Sequence, residues 1–277
     1  MGLFANARTP HERRLQAAAK TGDVTTLESS LQTWREDSSV SPPTTFDLHM
    51  AAGIAITNNQ AAALAYLLDQ GSSADNTLAR QTAGKTGTEC FDVMYDHDWR
   101  PESEPDGDAM PTIQMAIGNE EQLRWLLDHG ANPNVACART NDVPLSRAAR
   151  RGNMHTVDLL LRHGAVLKDS NALHAAASQK GSDEESIPMM QHLVDQSIDV
   201  NAVEFRHTKL TGHNNGILGT ALHSAIRADK PARVQWLLEH GADGRIKNDR
   251  GYGPLEWATE CESSPELVEI LRHSGCE

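Results

Sequence analysis

The chain has 277 residues, with 25 Lys+Arg against 38 Asp+Glu, a formal net charge of −13 with histidine neutral. That excess of carboxylates excludes a generic duplex-binding protein, which needs dense positive charge against phosphates. Apolar residues make up 39% and aromatics only 4%, with 34 Ala and 27 Leu, so the core must be built from small and aliphatic side chains packed helix on helix.

The N-terminal MGLFANARTPHERR has no apolar run leading to a small-residue cleavage site, and Asn6 stands where a myristoylation signal needs Ser or Thr. The longest apolar stretch, Ala61 to Leu68, is far below the roughly 20 residues that cross a bilayer. These features predict an intracellular protein, cytoplasmic or nuclear, that does not engage a membrane. Residues 1–46 read as an N-terminal cap and loop: LQAAAKTGD begins a frayed helical unit at Leu15, and the polar, proline-punctuated EDSSVSPPTT runs from Glu36 to Thr45.

The GKTGT string from Gly84 looks like the tail of a phosphate loop. Ala79 occupies the place of its first glycine and no apolar strand precedes it, so nucleotide binding is not expected. Residues 92–109 read as an acidic loop in a degenerate repeat, with Asp92, Asp96, Asp98, Glu102, Glu104, Asp106 and Asp108 against a lone Arg100. Cys90, Cys137, Cys261 and Cys276 form no C-x-x-C pair. Neither a zinc site nor a disulfide framework is expected, and no cofactor.

Self-similarity is the strongest feature. LLDQG ends at Gly71, LLDHG at Gly130, LLRHG at Gly164, LVDQS at Ser197, LLEHG at Gly241 and ILRHS at Ser274, with spacings of 59, 34, 33, 44 and 33. The degenerate VMYDH ending at His97 divides the 59. Upstream of these strings recur DLHMAA from Asp47, VPLSRAA from Val143, NALHAAA from Asn171, TALHSAI from Thr220 and GPLEWAT from Gly253.

One unit shows the physics. Leu145, Ala148 and Ala149 form the i, i+3, i+4 stripe of a short first helix, Gly152 makes a turn, and Val157, Leu160 and Leu161 repeat the stripe on a second helix ended by Gly164. Helices of about ten residues are marginal in water alone, so stability must come from stacking between neighbouring units.

These units resemble the ankyrin repeat, whose pattern is T-P-L-H-x-A-A, a glycine turn, then V-x-x-L-L-x-x-G-A-D. The resemblance covers most of the chain in six to seven copies, degenerate in the N-terminal third. It implies an all-α helical-repeat solenoid over 1–277 with short β-hairpin or loop fingers. The step of 44 residues reflects an enlarged finger insertion at 203–219; the KGSDEES segment places five extra residues between two helices of one unit. The resemblance also gives His49, His174 and His223 a structural hydrogen-bonding role, and His129, His163 and His240 sit at helix carbonyl ends, where positive charge is favoured.

Sorted by position in the repeat, many cations fall on the groove face: Arg139, Arg150, Arg151, Lys180, Arg206, Lys209, Arg227, Lys230, Lys247 and Arg250. Lys and Arg also simply solvate loops. As a basic groove on an acidic protein, however, they would steer an acidic peptide, protein or other anionic ligand into place. Phe205 and Tyr252, with Trp99, are the aromatic candidates for anchoring such a partner, or for plugging the stack. The leading expectation is a non-enzymatic protein-interaction scaffold. The alternative is a small-molecule or catalytic pocket between the 92–109 loop and the 203–219 insertion, using Asp96, His97, Arg206, His207 and His213.

Overall fold

The computed structural model describes residues 9–101, 109–151, 153–204 and 218–276. Among them are α1 (Pro10–Thr21), α2 (Val24–Glu36), α3 (Thr45–Thr57), α4 (Ala61–Asp69), α5 (Asn76–Thr82), α6 (Glu89–Asp96), α7 (Thr112–Met115), α8 (Glu120–Asp128), α9 (Pro144–Arg150) and α10 (Met154–Arg162). There follow α11 (Ala172–Ser178), α12 (Asp183–Asp195), α13 (Ala221–Arg227), α14 (Pro231–Glu239), α15 (Pro254–Glu260) and α16 (Pro265–His273). No strand occurs among the described residues. The fingers are loops, closed by single backbone bonds such as Cys137 N–H to Asp142 O at 2.8 Å and Asn248 N–H to Tyr252 O at 2.9 Å. The helices gather into two compact units: Met1–Pro105 with Gly118–Ala131, and Asp106–Ile117 with Asn132–Glu277.

In the first unit, the segment expected to fray is a full helix pair. Thr9 and Glu12 form a reciprocal capping box at the start of α1, and Leu15, Ala19, Leu27 and Leu31 are buried. Helix α6 occupies 89–96, so the acidic stretch expected as loop from 92 begins as helix. Its Phe91 stacks on Trp99 at 5.7 Å and on Trp125 at 5.3 Å between centroids. The GKTGT segment is held as a turn by the buried Gln122 of α8. Its Oε1 accepts the Gly84 N–H at 2.7 Å, and its Nε2 donates to the carbonyls of Thr82 and Gly87. The Gly84 amide that a phosphate would need is thereby used.

In the second unit, α9, α11, α13 and α15 pack side by side, and α12, α14 and α16 pack against one another. Each of those four first helices has only seven residues, yet Ala172 to Ala177 and Ala221 to Ile226 are buried without interruption. Small side chains let adjacent backbones approach closely enough to stabilise what no isolated heptapeptide helix would hold.

Second helices end in left-handed residues: Gly164 at φ 89°, Ser197 at 66° and Gly241 at 93°. In the last unit the left-handed residue is Gly275, at φ 68°, one place after the Ser274 that ends the ILRHS string. The reason is that α16 starts at Pro265, 34 residues after Pro231. The extra length expected between the helices of the 183-centred unit goes instead into α12, which has 13 residues against nine in α10 and α14.

Side chains then tie one repeat to the next. Asn134 Nδ2 donates to Gly164 O at 3.0 Å while its Oδ1 accepts the Val166 N–H at 2.8 Å. Asn201 does the same with Gly241 O, at 2.9 Å, and Asp243 N–H, at 2.8 Å. His174 Nε2 lies 3.1 Å from Gly219 O. His223 Nδ1 accepts the Thr220 N–H at 3.2 Å, and its Nε2 reaches Tyr252 O, also at 3.2 Å. The L-H histidines at 174 and 223 thus serve structure, as the repeat pattern implied. At the helix ends, Nδ1 of His129 and of His240 reaches the carbonyl four residues back at 2.7 Å, with each ring stacked 3.8 Å from the tryptophan there.

Among the described residues the largest fully buried side chain is Arg233, on α14, with 0% exposure. Its Nε donates to Asp183 at 2.7 Å, Nη1 to the carbonyls of Ala177 and Gln179 at 3.1 and 2.7 Å, and Nη2 to Gly181 O at 2.6 Å. One guanidinium thus satisfies the carbonyl end of α11 and the turn that follows, groups that α11 cannot bond internally.

Three outcomes are expected in urea unfolding of the second unit. Arg233→Met should cost about 3 kcal/mol, because buried carbonyls lose a charged donor. Ser197→Gly should stabilise by about 1 kcal/mol, since serine gives up a strained left-handed conformation. Burial, as the main cause, holds the His174 imidazole down to about 4 from 6.5. As pH falls through 6.5 the unfolded chain takes up a proton that the folded one refuses. Stability should decline between about pH 6.5 and 4, by about 3 kcal/mol, and His174→Gln should remove most of that slope.

Candidate partner-binding cleft

Equivalent positions at the carbonyl ends of α9, α11 and α13 carry Arg150, Ser178 and Arg227. Cations there favour the helix dipole, by about 0.3–1 kcal/mol each, so their presence alone needs no ligand. Their convergence says more. Arg150, Lys180, Arg227 and Lys230, with Ser178 and Gln179, line one cleft of about 560 Å³, and no carboxylate lines it among the described residues. A hollow of about 190 Å³ adjoins it, sharing Arg150, Ser178 and Arg227 and reaching His174, Asp142 and Glu204.

The four cations are not alike. Arg150 is half exposed and forms a two-pronged pair with the buried Asp142, Nη1 to Oδ2 at 2.7 Å and Nη2 to Oδ1 at 2.9 Å. Its charge is largely cancelled. Lys180, Arg227 and Lys230 enter no ion pair among the described residues. The neutral lining groups are engaged inward: Ser178 Oγ donates to His174 O at 2.8 Å and Gln179 Nε2 donates to Ser186 Oγ. What the cleft offers a ligand is therefore positive charge.

The other groove candidates lie elsewhere. Arg139, Arg151 and Arg250 are exposed outside the cleft, and Lys247 is 4.0 Å from Glu256. Tyr252 is half-buried, stacked at 6.1 Å on Trp257. Trp99 is only 4% exposed and donates from Nε1 to Asn76 at 3.0 Å, so it plugs the first unit instead of anchoring a partner. Phe205, Arg206, His207, Lys209 and His213 lie outside the described residues, as do most of the 203–219 insertion and residues 102–108.

Of the proposed acid/base residues, Asp96 is exposed. His97 Nδ1 is 2.7 Å from Val93 O and Nε2 is 3.1 Å from Asp69 Oδ1. The Val93 carbonyl chiefly, with Asp69 added, raises the affinity of this imidazole for its second proton. With both nitrogens facing fixed oxygens, the Val93 carbonyl and the Asp69 carboxylate, the ring caps α6 and is poorly placed to accept a substrate proton. No group of three or more His, Cys, Asp or Glu suited to a metal ion occurs among the described residues. Sequence reasoning missed Arg233 and Asp142. The one visible hint of Arg233 is a charged residue directly before Val234 on the inward stripe of α14.

No helix among the described residues is long and apolar enough to cross a membrane. The family described as "Ankyrin repeats (3 copies)" matches residues 109–204, and "Ankyrin repeat" matches 219–249. Human ankyrin repeat and SOCS box protein 6 is 32% identical over 151 residues, 53% of this chain and 34% of that protein. The mitochondrial disaggregase of Bos taurus is 29% identical over 170 residues, 60% of this chain and 23% of that protein. The chain thus spans about a third or less of the length of these curated relatives. Among solved structures, the ankyrin repeat domain of Bcl-3, a member of the IkappaB protein family, has a TM-score of 0.50 and 18% identity, covering 94% of this chain and 97% of that one. The helix pairs, the left-handed turn residues and these matches together identify the helical repeats of this chain as ankyrin repeats, over residues 109–204 and 219–249.

Proposed function

We propose that the second unit captures an acidic segment of a protein partner in the basic cleft. The observation that carries this reading is the convergence of Lys180, Arg227 and Lys230 on one cleft that no described carboxylate lines, none of the three being ion-paired among the described residues. On a chain of net charge −13, such a local positive focus guides encounter by its own potential, because screening limits each charge to its near surroundings. Exposed pairs are worth about 0–1 kcal/mol each, so the cleft sets orientation and rate and contributes moderate affinity.

The test is fluorescence anisotropy with a labelled hepta-glutamate peptide. Binding should weaken as salt rises from about 50 to 300 mM, as screening demands. Changing Lys180, Arg227 and Lys230 together to Glu should weaken it about tenfold or more while circular dichroism and melting stay unchanged. Arg150 is unsuited to this test. A carboxylate placed there faces the buried Asp142, and stability would fall along with binding. Undiminished binding by the triple variant would refute the proposal.

A further inference from the structure

We infer that the group seated in this cleft is the phosphate monoester of a phosphorylated serine or threonine in the partner, an inference that rests on the acidic-partner reading. Three observations favour one compact dianion over a run of carboxylates.

The first is distribution. An extended acidic peptide repeats its side chains every ~3.3 Å along its path and is best met by a track of cations. Here the positive charge is a focus: Arg150, Lys180, Arg227 and Lys230 share one cleft, whereas Arg139, Arg151, Lys247 and Arg250 stand outside it. The second is charge balance. With Arg150 cancelled by Asp142, three cations remain against one ligand group. A single carboxylate supplies one negative charge, whereas a phosphate monoester supplies about 1.5 to 2, on three acceptor oxygens. The third is preorganisation. The carbonyls of Gln179 and Gly181, on either side of Lys180, are both held by the buried Arg233 guanidinium. The lysine therefore projects from a fixed turn, and less ordering is left to be done on binding. Because Ser178 and Gln179 are already bonded inward, recognition falls to the cations.

The experiment measures Kd for three labelled pentapeptides, Gly-Gly-X-Gly-Gly, where X is phosphoserine, glutamate or serine, with inorganic phosphate as competitor. Phosphoserine is expected to bind about tenfold more tightly than glutamate, as charge-assisted bonds to more oxygens allow. Serine is expected not to bind, and inorganic phosphate to displace the phosphopeptide. Lys180→Gln, Arg227→Gln and Lys230→Gln should each reduce the phosphoserine preference. Equal affinity for phosphoserine and glutamate peptides would overturn this inference and leave the acidic-partner reading standing. A phosphoserine preference that survives all three substitutions would overturn it as well, by locating the site elsewhere. If neither the pentapeptides nor hepta-glutamate bind, both readings fall.

Discussion

A helix of seven residues has more unsatisfied backbone groups at its ends than it has bonds within it. This molecule is arranged around that deficit. The first helices α9, α11, α13 and α15 survive because neighbouring helices bury their inner faces, and side chains from the following repeat bond to carbonyls of α11 and α13. Gln122 serves the turn after α5 in the first unit, and Arg233 serves the turn after α11 in the second. The two residues occupy the same place, directly before the first buried aliphatic of a second helix, Leu123 in α8 and Val234 in α14. Where a turn between helices is ordinary, that place needs no such donor: in α10 it holds the small Thr156.

This packing rule also shapes the surface. The guanidinium of Arg233 is hidden from solvent, yet it fixes the backbone on both sides of Lys180 and so decides where that ammonium stands in the cleft. Asp142 acts oppositely on Arg150 by removing a charge that composition alone would count. The potential of the cleft is thus set by two residues outside its rim of unpaired cations. A substitution in the interior would change the charge the cleft presents without altering any residue on its rim.

The periodic part of the fold was legible because it is written in residues whose physics is local. Val157, Leu160 and Leu161 declare a helix face by spacing, Gly164 and Gly241 declare a left-handed turn, and the L-H histidines declare their bonds to the next finger. Features that depend on partners distant in sequence were not legible. Nothing near Arg150 says that Asp142 will neutralise it, and nothing in the acidic run after Cys90 says that Phe91 will stack on both Trp99 and Trp125. Length was misread where helices absorb it: the residues assigned to a turn before α12 became its first turn, and the one-residue shift that puts the last left-handed residue at Gly275 has no mark in the hydrophobic pattern. Of the cations sorted by position in the repeat, only packing separates Arg150, Lys180, Arg227 and Lys230, which share one cleft, from Arg139, Arg151, Lys247 and Arg250, which stand outside it.

The paired asparagine bonds carry one more implication. Asn134 clasps a glycine carbonyl 30 residues downstream, and Asn201 makes the identical clasp across 40. Since the same two bonds close over both spans, whatever chain lies between them is free to lengthen without disturbing how one repeat seats on the next. The scaffold can therefore acquire new finger sequence as a door acquires a new handle, with the hinges left as they were.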